Sequence, residues 1–289
     1  MGSVRYAFRF GSWKPTKEEW MLASRCIQKE EKDRIAKFHF ANDARAAMCG
    51  RLLLRKVIAE SEFTDILWQD IKLARTDKGK PYLEDKNSIV DTDLATNFNF
   101  NASHQGDYAV VALESSWGCG IDVMKVEMPT VRVEEYFRLM NRQFTPAEWK
   151  TIKGAGTGKQ QMEMFYRHWC LKESYIKAIG IGLGFDLQRI SFKPETLTLS
   201  PGTITIDTQL VLDGCLATQW KFQETKLDDE HFVAVALRRP LGKESEPSIV
   251  PDFKHLTFSE LTSSSQPILP PDEDYWNNFN KKRDKPQRK

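Results

Sequence analysis

The stretch from Trp169 to Phe185, WCLKESYIKAIGIGLGF, places two opposite charges on one face of a predicted helix. Glu173 and Lys177 are four residues apart, so both project from the same side of a helix that then runs into glycines. Two interpretations are open. The pair is either a solvated ion pair worth only about 0.3 kcal/mol, or a carboxylate and an ammonium group in the wall of a catalytic site.

A second carboxylate follows the segment GCGIDVM, residues 118–124. The pattern predicts a strand with the small residues Gly118 and Gly120 that delivers Asp122 at its end. A carboxylate from a strand end, paired with one from a helix, is a usual way to hold Mg²⁺ against a phosphate. A turn-forming aspartate is the alternative. If the metal site exists, we expect Asp122 and Glu173 to lie in a solvent-filled cleft.

A basic hairpin is predicted at RTDKGKPYL, residues 75–83, where Arg75, Lys78 and Lys80 surround Gly79. A glycine lets an anion approach the backbone, and the cations would attract it. The segment is neither a Walker A loop nor a GxGxxG motif, so the standard nucleotide folds are not supported. The alternative is a solvated hairpin tip.

The segment FNFNASHQGDY, residues 98–108, combines strand alternation with polar side chains. Phe98 and Phe100 are predicted on one face and Asn97, Asn99 and Asn101 on the other. The polar row ends in Ser103 and His104, which we place at a turn. Amides, a hydroxyl and an imidazolium all suit phosphate oxygens, whereas a satisfied surface histidine is the alternative.

Composition excludes several classes of protein. The net charge of the 289 residues is only +2, which argues against a dedicated nucleic-acid protein. The last nine residues, KKRDKPQRK, carry a net +5, so any anion site in the rest of the chain depends on local clustering of Lys and Arg.

Five scattered cysteines without a CxxC pair argue against a zinc site or a disulfide framework. With no apolar run of membrane length and no secretory pattern, we expect a cytosolic (cytoplasmic) protein with no membrane association.

The chain also contains a weak internal repeat. DYAVVALE, residues 107–114, recurs as HFVAVALR, residues 231–238, and a long predicted helix precedes each copy. The fold class is therefore predicted as α+β: two similar α/β lobes, each a small, mainly antiparallel sheet with a long helix. The predicted domains are 1–116, 117–240 and a C-terminal tail, 241–289, which is partly docked by apolar anchors and has a disordered basic end.

Four motifs in order, GKPYL, NFNASH, GIDVM and WCLKESYIKAIGIGL, resemble the 4′-phosphopantetheinyl transferases of the large, two-lobed type. The hallmarks of that family are G-[IV]-D and W-x-x-K-E-x-x-x-K, and the resemblance covers roughly residues 5–240. It implies a pseudo-dimer of lobes. It also implies Mg²⁺-dependent transfer of 4′-phosphopantetheine from coenzyme A to a serine of a carrier protein, with release of adenosine 3′,5′-bisphosphate.

The resemblance also implies roles for residues of this chain. Asp122 and Glu173 would bind Mg²⁺ and, with Lys177, form the catalytic group. Glu173 is a candidate general base, and Lys177 would neutralise phosphate charge. The remaining implied residues would hold the nucleotide and its 3′-phosphate: Arg34, Arg75, Thr76, Asp77, Lys78, Gly79, Lys80, Asn101, Ala102, Ser103 and His104. Met124 stands where many bacterial relatives have a second acid, and a thioether is a poor Mg²⁺ ligand, so a water is expected there.

The implied partners are coenzyme A and acyl carrier proteins. These carriers would be fatty-acid synthase domains, a mitochondrial carrier protein and aminoadipate-semialdehyde dehydrogenase-like enzymes. We expect a basic docking rim near the cleft, a monomer, and no nucleic acid as partner. Two other functions remain open: a coenzyme A-binding acyltransferase that needs no metal, and a non-catalytic module that binds nucleic acid through the basic tail.

Overall fold

The computed structural model of the chain describes residues 3–84, 98–182, 184–240, 242 and 250–284. The first lobe contains helices α1 (Lys17–Arg25), α2 (Lys29–Ala36) and α3 (Ala41–Ala59). Its strands are β1 (Ser3–Phe8), β2 (Leu73–Arg75), β3 (Pro81–Leu83), β4 (Asn99–Gln105) and β5 (Tyr108–Glu114). The sequence ANDARAAMCGRLLLRKVIAE predicts a helix with Ala46, Ala47, Leu52, Leu53 and Val57 facing inward, and all five are buried in α3.

The second lobe begins at β6 (Gly118–Lys125) and has its own long helix. Its helices are α4 (Val133–Leu139), α5 (Pro146–Lys153) and α6 (Gly158–Ile179). Its strands after β6 are β7 (Ile190–Lys193), β8 (Gln209–Leu212), β9 (Cys215–Leu216), β10 (Trp220–Lys226) and β11 (His231–Arg238). Thr145 and Thr157 cap α5 and α6 through reciprocal hydrogen bonds with Glu148 and Gln160, which explains where these helices start.

The main sheets of the two lobes have the same strand arrangement. In each lobe, the last strand lies in the centre, between the first strand and the penultimate strand. The order is β1-β5-β4 in the first lobe and β6-β11-β10 in the second, and all of these pairs are antiparallel. The two segments that are similar in sequence, residues 107–114 and 231–238, contain these two central strands. The predicted mixed α+β class is confirmed.

The two sheets pack against each other through one apolar layer. It contains Ala7, Tyr108, Val110 and Ala112 from the first lobe, Trp117 from the connection between the lobes, and Cys119, Ile121, Val123, Leu227, Val233, Val235 and Leu237 from the second lobe. Edge strands β4 and β6 lie side by side at this junction, and three polar side chains of β4 link them. Asn101 Oδ1 accepts from Ile121 N (3.2 Å), Ser103 Oγ donates to Asp122 Oδ1 (2.8 Å), and Gln105 Oε1 accepts from Lys125 N (2.5 Å).

Two predicted local placements are wrong. Asp122 lies in the middle of β6 rather than at a strand end, opposite Ala234 of β11. Ser103 and His104 belong to β4 rather than to a turn, because pairing with β5 continues to Gln105 and a two-residue turn follows. Gly106 supplies the positive φ (62°) that this turn needs. Both corrections have one cause: pairing with a neighbouring strand extended the strands beyond their local patterns.

Helix α6 packs on the face of β6 opposite the apolar layer, and Gly120 sets how closely. A Cβ at Gly120 would lie 2.2 Å from Ser174 O and from Ala178 N, so any side chain would push the helix away. A second contact between α6 and β6 is made by Cys170, whose Sγ donates to Asp122 O (3.1 Å). Gly120 therefore serves the close contact between strand and helix.

Residues 250–284 pack on the first lobe. They form β12 (Lys254–His255), which pairs in parallel with β1, and helices α7 (Phe258–Thr262) and α8 (Glu273–Asn280). Phe279 stacks on Trp20 with ring centroids 3.6 Å apart, and Leu261 is completely buried. The basic end that was predicted to be disordered comprises residues 281–289, of which 281–284 are described and 285–289 lie outside the described residues. No helix within the described ranges is long and apolar enough to cross a membrane.

Candidate active site

Asp122, Lys177, Ser103 and Glu173 form a compact polar group where α6 crosses β6; we call it the Asp122 site. Lys177 Nζ donates to Asp122 Oδ1 (2.5 Å) and to Ser103 Oγ (2.6 Å), and Ser103 Oγ donates to the same carboxylate oxygen. Strand β6 provides the aspartate, α6 the lysine and β4 the serine. Both lobes therefore contribute to the site.

The Glu173 carboxylate is the unpaired member of the Asp122 site. Within the described residues, no hydrogen bond or ion pair engages it, and Lys177 pairs with Asp122 instead. Burial raises the pKa of Glu173, the neighbouring Asp122 raises it further, and Lys177 lowers it. The simple ion pair between Glu173 and Lys177 is thus not formed, and Glu173 keeps an available, basic carboxylate.

The prediction that Asp122 and Glu173 lie in a solvent-filled cleft is wrong for Asp122, which is 3% exposed. Glu173 is half-buried. Asp122 Oδ2 is buried without a hydrogen-bond partner among the described residues. The close contact of α6 with β6 at Gly120 explains this burial. An orphaned carboxylate oxygen is costly, so it marks a position where a bound group would complete the site.

The donor set suits a hard divalent cation. The orphaned oxygen of Asp122 and the unpaired carboxylate of Glu173 are hard oxygen donors, the type of ligand that Mg²⁺ prefers. No group of three or more His, Cys, Asp or Glu side chains with metal-binding geometry occurs in the part of the chain that the structure describes. Met124 is half-buried and packs into the apolar cluster between α6 and the second sheet.

His104 lies on the opposite face of β4 from Ser103, towards α3. A Cβ at Gly50 of that helix would lie 4.0 Å from His104 Cδ2. His104 is an exposed residue, yet the protein atoms crowded around its ring lower its pKa to about 4, and Lys177, Arg51 and Arg34 lower the pKa as well. The expected imidazolium is therefore a neutral imidazole at pH 7 in the protein alone, and only an anion beside it would restore the proton.

Near His104, the buried carboxylate of Glu31 accepts hydrogen bonds from three arginines. Glu31 Oε2 accepts from Arg34 Nε (3.0 Å) and Nη2 (2.9 Å), and Glu31 Oε1 accepts from Arg51 and from Arg75, all at 3.3 Å. We call Glu31, Arg34, Arg51 and Arg75 the arginine cluster. Arg34 and Arg75 were predicted. Arg51 and Glu31 were missed, because only the fold brings α2, α3 and β2 together.

The other residues of the predicted basic hairpin fall into two groups. Lys80 Nζ donates to Ala178 O (2.9 Å) at the end of α6, and burial lowers its pKa. Thr76 closes the turn by accepting from Gly79 N and Lys80 N, and Gly79 has the positive φ (84°) that the turn requires. Asp77 and Lys78 are exposed. The hairpin of the first lobe therefore reaches the helix of the second.

Two further predicted residues hold the architecture. Asn101 fastens β4 to the backbone of β6, and Ala102 packs against the core of the first lobe. A surface groove elsewhere is lined by Asn141, Arg142, Phe144, Pro146, Trp149, Lys150, Lys153 and Gln188. It contains none of the predicted residues. The chemistry of the side chains, and not concavity, therefore locates the candidate site.

Comparison with known proteins identifies the family of this chain. Residues 11–116 match the family described as "4'-phosphopantetheinyl transferase, N-terminal", and residues 118–236 match the "4'-phosphopantetheinyl transferase superfamily". The L-aminoadipate-semialdehyde dehydrogenase-phosphopantetheinyl transferase of Xenopus laevis is 48% identical over 294 residues, covering 100% of this chain and 95% of that protein. Those of Pongo abelii and Homo sapiens are 48% and 47% identical over 288 residues, covering 96% of this chain and 91% of each relative. The chain therefore belongs to the 4′-phosphopantetheinyl transferase superfamily and is a transferase enzyme of that family.

Proposed function

We propose that this protein transfers 4′-phosphopantetheine from coenzyme A to a serine of acyl or peptidyl carrier proteins and releases adenosine 3′,5′-bisphosphate. One observation carries the proposal: an unpaired carboxylate, a half-satisfied carboxylate and a lysine meet beside a cluster of arginines. Such an arrangement suits a pyrophosphate ester, whose transfer needs positioning and charge neutralisation more than protein covalency.

Asp122 and Glu173 would hold Mg²⁺. The ion would supply charge neutralisation for the pyrophosphate of coenzyme A. Lys177 lies within reach of Asp122 and Ser103 and would donate to the same phosphate oxygens when the substrate is bound. The arginine cluster, His104, Lys78 and the turn at Gly79 would hold the nucleotide and its 3′-phosphate.

In the reaction, the serine oxygen of the carrier forms a bond to the phosphorus next to pantetheine, and the bond from that phosphorus to the bridging oxygen breaks. The serine proton needs an acceptor. Glu173 is the candidate, because it is unpaired and its pKa is raised by burial and by Asp122. The electron pair of the broken bond leaves on the phosphate of adenosine 3′,5′-bisphosphate.

We further propose that the two lobes are a pseudo-dimer. The equivalent strand orders, the two long helices and the central strands 124 residues apart in the chain support it. A junction of repeats would explain why β4 and β6 together build the Asp122 site. With both halves in one chain, a monomer in the cytosol is the simplest state, and the five free thiols fit a reducing compartment.

The proposed acceptors are fatty-acid synthase carrier domains, a mitochondrial carrier protein and aminoadipate-semialdehyde dehydrogenase-like enzymes. The name of the animal relatives supports the last of these. The groove with Arg142, Lys150 and Lys153 is a candidate for part of the basic docking rim.

The deciding experiment is intact-protein mass spectrometry of an apo acyl carrier protein incubated with the enzyme, coenzyme A and Mg²⁺. We expect a mass gain of one phosphopantetheine that disappears on chelation. Acyl transfer from acetyl-coenzyme A that persists with chelator would favour the acyltransferase instead. No modification of several apo carriers, despite binding of coenzyme A, would contradict the proposal.

A further inference from the structure

The arginine cluster contains a feature that phosphate binding alone does not explain. Its central residue is an acid, Glu31, which is 8% exposed. A carboxylate inside an anion site repels the anion, so Glu31 either weakens the site or serves a purpose that outweighs this repulsion.

The contacts of Glu31 place its carboxylate between the three arginines. Arg34 lies on α2, Arg51 on α3 and Arg75 on β2, and the two oxygens of Glu31 are the shared acceptors for all three side chains. Without that acceptor, three guanidinium groups would repel one another and separate. Burial opposes the charge on Glu31, but Arg51, Arg75 and Arg34 outweigh it and keep the pKa of Glu31 below its ordinary value. The carboxylate therefore stays ionised and holds the group together.

The charge balance also fits a particular ligand. Three arginines and one glutamate leave a net charge of about +2, which matches the dianion of a phosphate monoester. The positive field already reaches His104, since Arg51 and Arg34 are among the causes of its lowered pKa. Arg51 is 8% exposed and its side chain is directed to Glu31, so it belongs to the same preorganised group.

We infer that Glu31 is a positioning residue that preorganises Arg34, Arg51 and Arg75 to bind the terminal phosphate monoester of the donor. The inference rests on the proposed function, in which that group is the 3′-phosphate of coenzyme A. It makes a counterintuitive claim: removing a negative charge from this anion site weakens anion binding.

The test is Glu31→Gln, which keeps the shape of the side chain and removes its charge. The probes are coenzyme A and 3′-dephospho-coenzyme A, measured by titration calorimetry and by steady-state transfer to an apo carrier. We expect Kd and KM for coenzyme A to rise about tenfold, with the values for the dephospho form and kcat changed less than about twofold. Glu31→Asp should restore part of the affinity, because it retains the charge.

The matched control is Glu30→Gln, which removes the same charge from an exposed neighbour on α2. It should change neither donor's affinity. Tighter binding of coenzyme A by Glu31→Gln, or equal weakening for both donors, would overturn this inference alone, provided that the wild-type enzyme still transfers. If the wild type binds neither donor, the proposed function fails and this inference fails with it.

Discussion

Asp122 and Lys177 are placed by a strand and a helix in direct backbone contact, whereas side-chain contacts bring the arginines of the cluster together from three separate elements. At the Asp122 site, Gly120 lets α6 approach β6 so closely that the positions of both charges follow from the backbone. In the arginine cluster, Glu31 performs the corresponding task with two oxygens. We expect substitutions at the Asp122 site to abolish most of the activity, and substitutions in the arginine cluster to reduce it gradually.

Replacing Glu173 tests the Asp122 site with the largest expected effect. Glu173→Gln removes a metal-binding carboxylate and the candidate base, so kcat should fall at least about a hundredfold, with little change in thermal stability because the side chain has no partner to lose. Transfer rates and melting temperature measure this. Glu163→Gln, on the same helix, is the control. Turnover by Glu173→Gln within about twofold of wild type would remove the proposed site.

Gly120→Ala tests whether the close backbone contact between α6 and β6 positions the Asp122 site. The added Cβ would lie 2.2 Å from Ser174 O and Ala178 N, so α6 must move away from β6. We expect a loss of about 1–3 kcal/mol in the free energy of unfolding and a fall in kcat of about tenfold or more. Denaturant unfolding and transfer assays measure the two effects.

The control for that change is Gly118→Ala on the same strand. There the added Cβ would meet Arg238 Cβ at 3.5 Å, which is ordinary contact. This variant should remain close to wild type in stability and kcat. Equal effects at the two glycines would show that the strand does not depend on this one close approach.

His104→Gln tests the phosphate site that His104 and the neighbouring arginine cluster are proposed to form. The neutral imidazole must gain a proton to bind a phosphate fully, so its removal should raise KM for coenzyme A about tenfold and leave the 3′-dephospho form nearly unchanged. Calorimetry in two buffers of different ionisation enthalpy should also detect proton uptake when wild type binds coenzyme A. His39→Gln, at an exposed histidine, is the control. Equal effects on both donors would contradict the 3′-phosphate assignment.

The smallest effect is expected at the C-terminal segment, which supports α2 from outside. Lys282 Nζ donates to Ala36 O (3.0 Å), at the last residue of α2, and to Phe38 O just beyond it; α2 is the helix that carries Glu31 and Arg34. Lys282→Ala should raise KM for coenzyme A about twofold and cost about 1 kcal/mol of stability. Lys281→Ala, at an exposed neighbour, should do neither. A larger effect of Lys281→Ala would mean that charge, and not the contact with α2, matters.

The same segment revises an expectation from the sequence. The sequence predicts a disordered basic end, KKRDKPQRK, and a deletion of residues 281–289 that leaves transfer activity largely intact. The structure shows that Lys282, Arg283 and Asp284 contact the first lobe, with Arg283 O accepting from Ala41 N and Asp284 pairing with Lys14 and Arg45. We expect deletion of residues 285–289 alone to leave transfer activity unchanged.

The sequence by itself predicted the long helices, the central strands and several of the chemically important positions. The periodicity of α3 and α6, the Thr-Pro cap of α5 and the two similar central strands depend on local propensity and patterning, which the chain carries without its partners. The motifs around Asp122, Glu173 and Lys177 likewise named the side chains that the structure brings together. Their roles in metal binding and catalysis stay predictions.

Only the tertiary structure decided which charges face each other. Lys177 pairs with Asp122 rather than with Glu173, Lys80 is directed to the end of α6, and Glu31 and Arg51 join the predicted arginines. The reason is physical: helix spacing fixes which residues share a face, but the partner across that face comes from another element, often tens of residues away. Burial is decided in the same way, since Asp122 loses its solvent only when α6 settles on Gly120.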